Sequence, residues 1–584
     1  MNQAPALNIG DDPGKLTLSS MDTRGQSREF PHTRFSNVED TLALRRMRAS
    51  YDQFSDLLNL AEQELAASNL HAAIGLLQIA ARFAFPGNVG LMVSHRLEEL
   101  LGKAGRQIPN VSAPEAEHRS TSSRRVLHVL SYGRPVGGDT RFVWRWIQED
   151  QTSQHFVAIT TQADVANLYD VPAVLRSSAE ASGGFLRTLS APPANPVEQA
   201  RELRALCQQM DLVVLHLFPY DVIPVLALAA GCDGVKTLFV NHSDHTFWAG
   251  ASVAHSVVHL RKQSREFLIE RRGLKPEQTP VLPIPLSHSA PPIAREEAKR
   301  ALGYGPETVV LLTIASPFKY SSPDAIGFLE LVTPVIANSL QAVLIAVGPE
   351  PKGAWKAASA ATQGRIVPLG TTWDTGLLYA AADIYLDSVP FSSITSLVEA
   401  GSHGCALLGY AMPDGEISLL GPGAPGIDGT MIVTQHPEQY RDQCTRLIAD
   451  PDYRTQCGQR VQEEILSLHT GPKWADVVQK LYAITETNSS GRGCLLKRDD
   501  EFRASSLNAS LAQLYPDRNT RSVIGKYLGA LPYQSGLSLS LALYSKGFDL
   551  SYINLLPPST RKLAKLCRYW ARRVSRQLMV ARTP

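Results

Sequence analysis

Asp383-Ile-Tyr-Leu-Asp387-Ser-Val-Pro390-Phe391-Ser392-Ser393-Ile394-Thr395-Ser396-Leu397-Val398-Glu399-Ala400-Gly401 is the stretch on which the fold turns. A short apolar run over 383–387 reads as a buried strand ending at Asp387. A hydroxyl-rich loop follows and enters a helix near Thr395. Free N–H groups and hydroxyls at a helix N-terminus suit a phosphate or diphosphate. Glu399 lies one turn inside, on the side of Thr395 and Ser396 by i, i+4 and i, i+3 spacing. A carboxylate there can accept both hydroxyls of a ribose. The alternative needs no ligand: Ser396-Leu-Val-Glu399 also fits a capping box.

The same strand–loop–helix unit recurs on both sides. Upstream, strands are expected at 125–131, 155–161, 211–217, 236–241 and 254–259, with helices at 139–149, 194–210 and 221–231. After a hinge at Leu282-Pro-Ile-Pro-Leu286 come strands at 308–315, 342–347, 365–368, 383–387, 405–409 and 430–434. Helices near 322–338, 353–362, 374–382, 395–403 and 436–449 alternate with them, and helices at 452–468 and 472–486 close the series. Alternation of this kind implies parallel βαβ units with both sheet faces covered. The expected fold is α/β: two tandem Rossmann-like doubly wound domains, 124–285 and 286–486. Segment 1–41 reads as disordered, 42–104 as a helical extension, 105–123 as a linker, and 487–584 as a mixed tail, irregular over 487–557, that ends in a basic amphipathic helix.

Ligands of open α/β sheets bind outside the carboxyl ends of the strands. Three more segments fall there. Gly133-Arg-Pro-Val-Gly137-Gly138-Asp139-Thr140 links the first strand to its helix. Glycines let backbone approach a ligand, and Asp139 or Thr140 is expected to cap the helix; a tight turn is the plainer reading. His216 ends one strand, and Asn241-His242-Ser243-Asp244-His245 ends the next. Asp244 and His245 suit acid–base work near neutral pH, and a hydrogen-bonded structural role suits these histidines equally. No third ligand group supports a metal. Lys319, in Ala315-Ser-Pro-Phe-Lys319, faces the same cleft or solvates a loop.

Composition sets outer limits. The 584 residues are 44% apolar and 19% charged, with net charge +2. That balance fits globular domains and gives no basis for nucleic-acid binding. Seven scattered cysteines without a Cys-x-x-Cys pair read as free thiols in a reducing cytoplasm. No signal peptide or transmembrane helix is read, so the Asn241, Asn488 and Asn508 sequons are taken as chance matches. Eight Lys and Arg residues between 561 and 582, interleaved with Tyr569 and Trp570, fit an anionic membrane surface; a solvated helix packed on the catalytic region fits as well.

Over 124–486 the chain resembles GT-B-fold bacterial glycosyltransferases of the family-4 type. In 383–409 it is also similar to the donor loop of protein O-GlcNAc transferases. The resemblance implies that Ser393, Thr395 and Ser396 hold a donor diphosphate, that Glu399 holds the ribose, and that Lys319 is the donor-phosphate lysine. It puts His242 beside the donor sugar and Gly137 and Gly138 opposite the phosphates. Departures are the Phe391 that replaces the first glutamate of Glu-x7-Glu, and the lack of an arginine paired with Lys319. No long helical-repeat array precedes the catalytic region, which favours a glycan over a protein acceptor.

The expected activity is transfer of a hexose from a nucleoside diphosphate sugar to a glycan, lipid-linked or other hydroxyl acceptor. It would serve polysaccharide or cell-surface glycan synthesis in the cytoplasm, or peripherally at the inner membrane face. No resident cofactor or metal is implied. Inversion would need a base such as Asp139 or His245; the family-4 likeness favours retention. A sugar-nucleotide epimerase and a catalytically silent scaffold are the alternatives.

Overall fold

The computed structural model describes residues 42–560 apart from short stretches, the longest being 111–122, 163–168, 190–194, 288–292, 321–325, 512–519 and 551–555. Segment 1–41, most of the 105–123 linker and the basic tail from 561 onward lie outside the described residues.

Three helices come first among the described residues: α1 (Leu42–Ala66), α2 (Leu70–Ala84) and α3 (His95–Gln107). The first α/β unit follows. Its strands are β1 (Arg125–Leu130), β2 (Gln154–Ile159), β3 (Leu186–Thr188), β4 (Leu212–His216), β5 (Lys236–Val240) and β6 (Ser256–Val258). Its helices are α4 (Gly138–Glu149), α5 (Ala173–Ala181), α6 (Pro196–Cys207), α7 (Ile223–Leu228) and α8 (Lys262–Arg272). All pairings are parallel, in the order β3-β2-β1-β4-β5-β6.

The second unit begins with α9 (Arg295–Ala301). It continues through β7 (Val309–Ile314), α10 (Phe328–Asn338), β8 (Ala342–Val347), α11 (Gly353–Ala361), β9 (Ile366–Gly370), α12 (Gly376–Ala381) and β10 (Ile384–Leu386). It ends with α13 (Ile394–Ser402), β11 (Ala406–Tyr410), β12 (Ile432–Thr434), α14 (Pro437–Ala449) and α15 (Pro451–His469). This sheet is also parallel, ordered β12-β11-β10-β7-β8-β9. The chain thus has two Rossmann-like doubly wound domains, the GT-B arrangement. Each sheet reverses its winding direction at one place, between β1 and β4 and between β7 and β10. Loops leaving these strands diverge and open a crevice.

Several elements depart from the sequence reading. β3, α5, α8 and α9 were not anticipated; β3 has only three residues, two of them exposed, so it carries no apolar run. The 487–557 region, expected to be irregular, contains α17 (Thr520–Gly529) and α18 (Tyr533–Ser545). α17 packs on the helical extension, with Ile524 and Leu528 in its core. Neither Asp139 nor Thr140 caps α4. Its N-cap is Gly137, at φ 145°, a backbone conformation open to glycine. The helix thereby starts early enough for the Thr140 hydroxyl to accept from the Arg134 N–H instead.

Helix α16 (Gly471–Thr487) leaves the second domain and crosses back onto the first. Trp146 on α4 donates its indole N–H to the Tyr482 hydroxyl at 2.8 Å, and both side chains are fully buried. Burying such a ring stabilises by roughly 1.5–3 kcal/mol. The return at 469–474 runs beside the outward crossing at 282–286. The Leu286 N–H donates to the His469 carbonyl at 2.8 Å, and the Trp474 indole donates to the Pro283 carbonyl at 2.8 Å.

The helical extension shares one core with the first domain, including Leu77, Leu100, Leu101, Leu226 and Leu228. Arg204 on α6 is wholly buried and donates to the carbonyls of Gly105, Ile108, Leu226 and Ala227 at 2.8–3.1 Å. A helix end buried at an interface has orphan carbonyls, and one guanidinium satisfies several of them.

Candidate functional site

A cleft of about 250 Å³ lies where the strand ends of both domains meet. The loop after β1 and the start of α4 supply Arg134, Gly138 and Asp139. The ends of β4 and β5 supply His216, His242 and His245, and the second domain contributes Lys319 and Thr395. Gly138 stands against Thr395 so closely that a methyl group on it would come 2.5 Å from the Thr395 hydroxyl. The glycine turn and the hydroxyl-lined turn therefore face each other across one crevice.

Two helix N-termini converge there. α4 follows a Gly137 N-cap, which has no side chain, and α13 a Ser393 N-cap whose hydroxyl accepts no bond from its helix; in the first turn of α4 the Asp139 carboxylate accepts the Thr140 N–H at 2.9 Å. First-turn residues of both, Gly138 and Asp139 from α4 and Ile394 and Thr395 from α13, line the same space, at the positive ends of two dipoles. Lys319 lies between them on a 3-10 turn (Pro317–Tyr320). Its ammonium donates to the Ser392 carbonyl at 2.8 Å and sits 4.3 Å from the centre of the Phe391 ring. Burial pulls Lys319 down to about 8, although Asp387 favours its charge. The lysine is still mostly cationic at neutral pH.

Asp139 is paired with Arg134 at 2.7 Å. Burial acts to raise its pKa, but Arg134 and His242 outweigh burial and hold the carboxyl below its ordinary value. Its charge favours helix start and anchors the turn more readily than it accepts a proton. Asp244 is gripped by Arg261, which also donates to the carbonyls of Leu419 and Gly421 at 2.7 and 3.0 Å, tying the domains together. His245 lies 3.4 Å from Asp244 and edge-on to Phe391; burial lowers its pKa, with Asp244 opposing. His242 is also shifted down by burial, to about 4, against the pull of Asp139.

The cleft gathers Gly138, Asp139, His242, His245, Lys319 and Thr395, with Gly137 adjacent in the turn. Ser393, Ser396 and Glu399 do not line it. The Ser393 hydroxyl donates to that of Ser396 at 3.4 Å. Glu399 is one turn deeper, where it meets α4: Arg141 donates to one carboxylate oxygen at 2.8 Å and Arg145 to the other at 2.9 Å. Burial opposes the Glu399 charge, but the two guanidinium groups prevail and lower its pKa. Both oxygens expected to take a ribose are thus bound by the opposite domain. A ribose reaching Glu399 has to compete with both arginines for the carboxylate.

The sequence reading overlooked Arg141 and Arg145. Their i, i+4 spacing was visible, but which helix they face depends on how the domains dock. It also overlooked His128 and His155, which stand inside the apolar runs of β1 and β2. A polar residue at a buried strand position was the available signal. Among the described residues, no group of three or more His, Cys, Asp or Glu side chains is arranged to hold a metal ion, and no helix is long and apolar enough to cross a membrane.

No protein-family model matches the chain, and no curated protein matches it. Solved structures are similar in shape. Anabaena Alr3699/HepE, crystallised with UDP-glucose, is 16% identical over 63% of this chain and 100% of its own, with a TM-score of 0.45. A glycosyltransferase from Rickettsia africae is 13% identical over 63% and 100%, with a TM-score of 0.47. An O-GlcNAc transferase of Thermobaculum terrenum is 14% identical over 76% and 82%, with a TM-score of 0.43. Similarity at this level leaves the chemistry to be argued from the cleft itself.

Proposed function

We propose that the cleft binds a nucleoside diphosphate sugar and transfers its sugar, a hexose, to a hydroxyl acceptor of a glycan or lipid-linked glycan. The observation that carries this is the meeting of two helix N-termini, one from each domain, at a cleft that Lys319 also lines. Such a site favours a dianion over any neutral ligand. Transfer leaves a diphosphate carrying the electron pair of the broken glycosidic bond. Charge developing there is stabilised by donors already in place, namely the N–H groups of α4 and α13, the Thr395 hydroxyl and the Lys319 ammonium. No metal enters this scheme.

A second reading, the catalytically silent scaffold, is supported by the Glu399 pairing, which closes the ribose seat with two arginines. Calorimetric titration of the full chain with uridine, adenosine, guanosine and cytidine diphosphates and their sugars separates the two. Binding of at least one sugar nucleotide, followed by sugar transfer in an acceptor screen, supports the transferase. No binding of any of them at millimolar concentration supports the scaffold. Release of free sugar with no acceptor would point to the epimerase instead.

A further inference from the structure

Four imidazoles run from the cleft through the first sheet in one unbroken line. His242 Nε2 lies 3.0 Å from His216 Nδ1, His216 Nε2 lies 3.1 Å from His128 Nδ1, and His128 Nε2 lies 3.0 Å from His155 Nδ1. The line crosses the adjacent strands β5, β4, β1 and β2, a span of about 14 Å at ordinary strand spacing. It ends at Asp150, where His155 Nε2 is 3.1 Å from the backbone carbonyl and 3.4 Å from Oδ2. His128 and His155 are fully buried, and Trp146 and Phe142 wall the line with their ring edges. Ring nitrogens about 3 Å apart bond to each other directly. A transition-metal ion would need each nitrogen at about 2.0–2.1 Å with room between them, so the line is not a dismantled metal site.

The direction of every bond follows from its buried end. Asp150 offers His155 Nε2 only acceptors, a carbonyl and a carboxylate, so that nitrogen donates. In a neutral imidazole the other nitrogen then accepts. His155 Nδ1 accordingly takes the His128 Nε2–H, His128 Nδ1 takes that of His216, and His216 Nδ1 takes that of His242. His242 is left with a bare Nδ1, which has no hydrogen bond among the described residues, on a side chain that lines the cleft.

We propose that this line is a proton relay, with His242 as the base that accepts the proton of the attacking acceptor hydroxyl and Asp150 as its electrostatic terminus. This rests on the reading of the cleft as a site of sugar transfer. As the acceptor oxygen bonds to the anomeric carbon, the bond to the diphosphate breaks and its electron pair leaves with the diphosphate oxygen. The hydroxyl proton goes to His242 Nδ1. His242, His216 and His128 each pass their Nε2 proton to the next Nδ1 and stay neutral. His155 gains the last proton, retains its own, and becomes an imidazolium against the Asp150 carboxylate. One positive charge has moved from the cleft to a buried counter-ion. Direct displacement with a base inverts the anomeric centre, so the proposal departs from the retention implied by the family-4 likeness.

The electrostatics agree. Burial holds His128 and His216 well below the ordinary imidazole range and His242 at about 4, so these three are neutral at pH 7. Alone, His242 would be a weak base; the relay supplies its proton with a better destination. Burial works against the Asp150 charge, but bonds from His155 and Thr152 overcome it and keep the carboxyl well below the usual range. Tyr482 also donates to Asp150 Oδ2 at 3.0 Å. Asp139 on α4 is the charged group facing His242, and Arg124 and Tyr482 face the Asp150 end.

The test needs no substrate in its first arm. In the full chain labelled with ¹⁵N-histidine, NMR at pH 7 should show His128, His216 and His242 as neutral Nε2–H imidazoles. On acidification their tautomers should change together at one midpoint. A Nδ1–H tautomer at His242, or independent titration of His128, His216 and His242, overturns the relay whether or not the protein transfers sugar. In the second arm, His128→Phe cuts the line in its middle. Turnover should fall about 10²–10⁴-fold, the worth of a general base, with donor affinity unchanged. Unchanged turnover in a folded variant overturns the proposal. If His128→Phe does not fold, Asp150→Asn takes its place, and the same fall is expected with loss of the single midpoint. Failure of every sugar nucleotide to bind would sink the function and leave the first arm to decide the relay.

Discussion

Arg141→Ala combined with Arg145→Ala should tighten the binding of the cognate nucleoside diphosphate. In the structure, two charge-assisted hydrogen bonds of 2.8 and 2.9 Å occupy the Glu399 carboxylate. A ribose that takes this seat along the same lone pairs displaces both. Such bonds are worth about 1.5–3 kcal/mol each when shielded. The Arg141, Arg145 and Glu399 side chains are 23%, 10% and 14% exposed, so solvent screening argues for the low end, about 1–1.5 kcal/mol each. Removing the competition should then gain about 2–3 kcal/mol, or roughly 30- to 150-fold in affinity. The pair also sets a pH dependence. The Glu399 carboxyl is held below its ordinary 4.5, so its contribution to stability is present above that value and is lost as pH falls through the depressed value. The double variant should lack this acid-side loss. Isothermal titration of wild type, the double variant and the double variant carrying Glu399→Gln measures the affinity; the third protein should forfeit the gain. Equal or weaker binding by the double variant would refute the reasoning and make Glu399 a fastener between domains and nothing more.

Gly138→Ala places a methyl group 2.5 Å from the Thr395 hydroxyl, which should hold the domains apart and cut sugar transfer at least roughly tenfold with little change in melting temperature; steady-state kinetics and a thermal melt check it. Nucleotide affinity should weaken as pH rises through about 8, where Lys319 loses its proton, and Lys319→Met should bind weakly with that step gone when titrated across the range. Arg204→Met strips the donors from four buried carbonyls and should destabilise the chain by about 3–5 kcal/mol in urea unfolding, without altering nucleotide affinity per folded molecule.

The two sheets were legible because their central strands are buried on both faces and therefore read as apolar runs, with β1, β4, β7 and β8 the plainest. β3 escaped because three residues at a sheet edge need no such run. The switch-point rule took the reading from strands to a cleft, and Gly138, His242, His245, Lys319 and Thr395 all face it. What sequence could not supply is which way the second turn of a helix points once two domains dock. Glu399 stands on the right helix at the right spacing, yet its partners come from α4, some 250 residues away in the chain. The histidine line has the same character. His216 and His242 are visible at strand ends, but His128 and His155 join them only through the β2-β1-β4-β5 neighbourhood, which is a property of winding order.

The paired crossings at 282–286 and 469–474 determine how the halves can move. Two lengths of backbone, stitched side by side by the Leu286–His469 and Trp474–Pro283 bonds, behave as a narrow ribbon. A ribbon twists and bends about its own line but resists sliding along its width. Bending it opens the halves as a book opens, and closing brings Gly138 and Thr395 back to the same meeting point. A protease that nicks one crossing leaves the halves joined by the other, and release of either half requires both cuts.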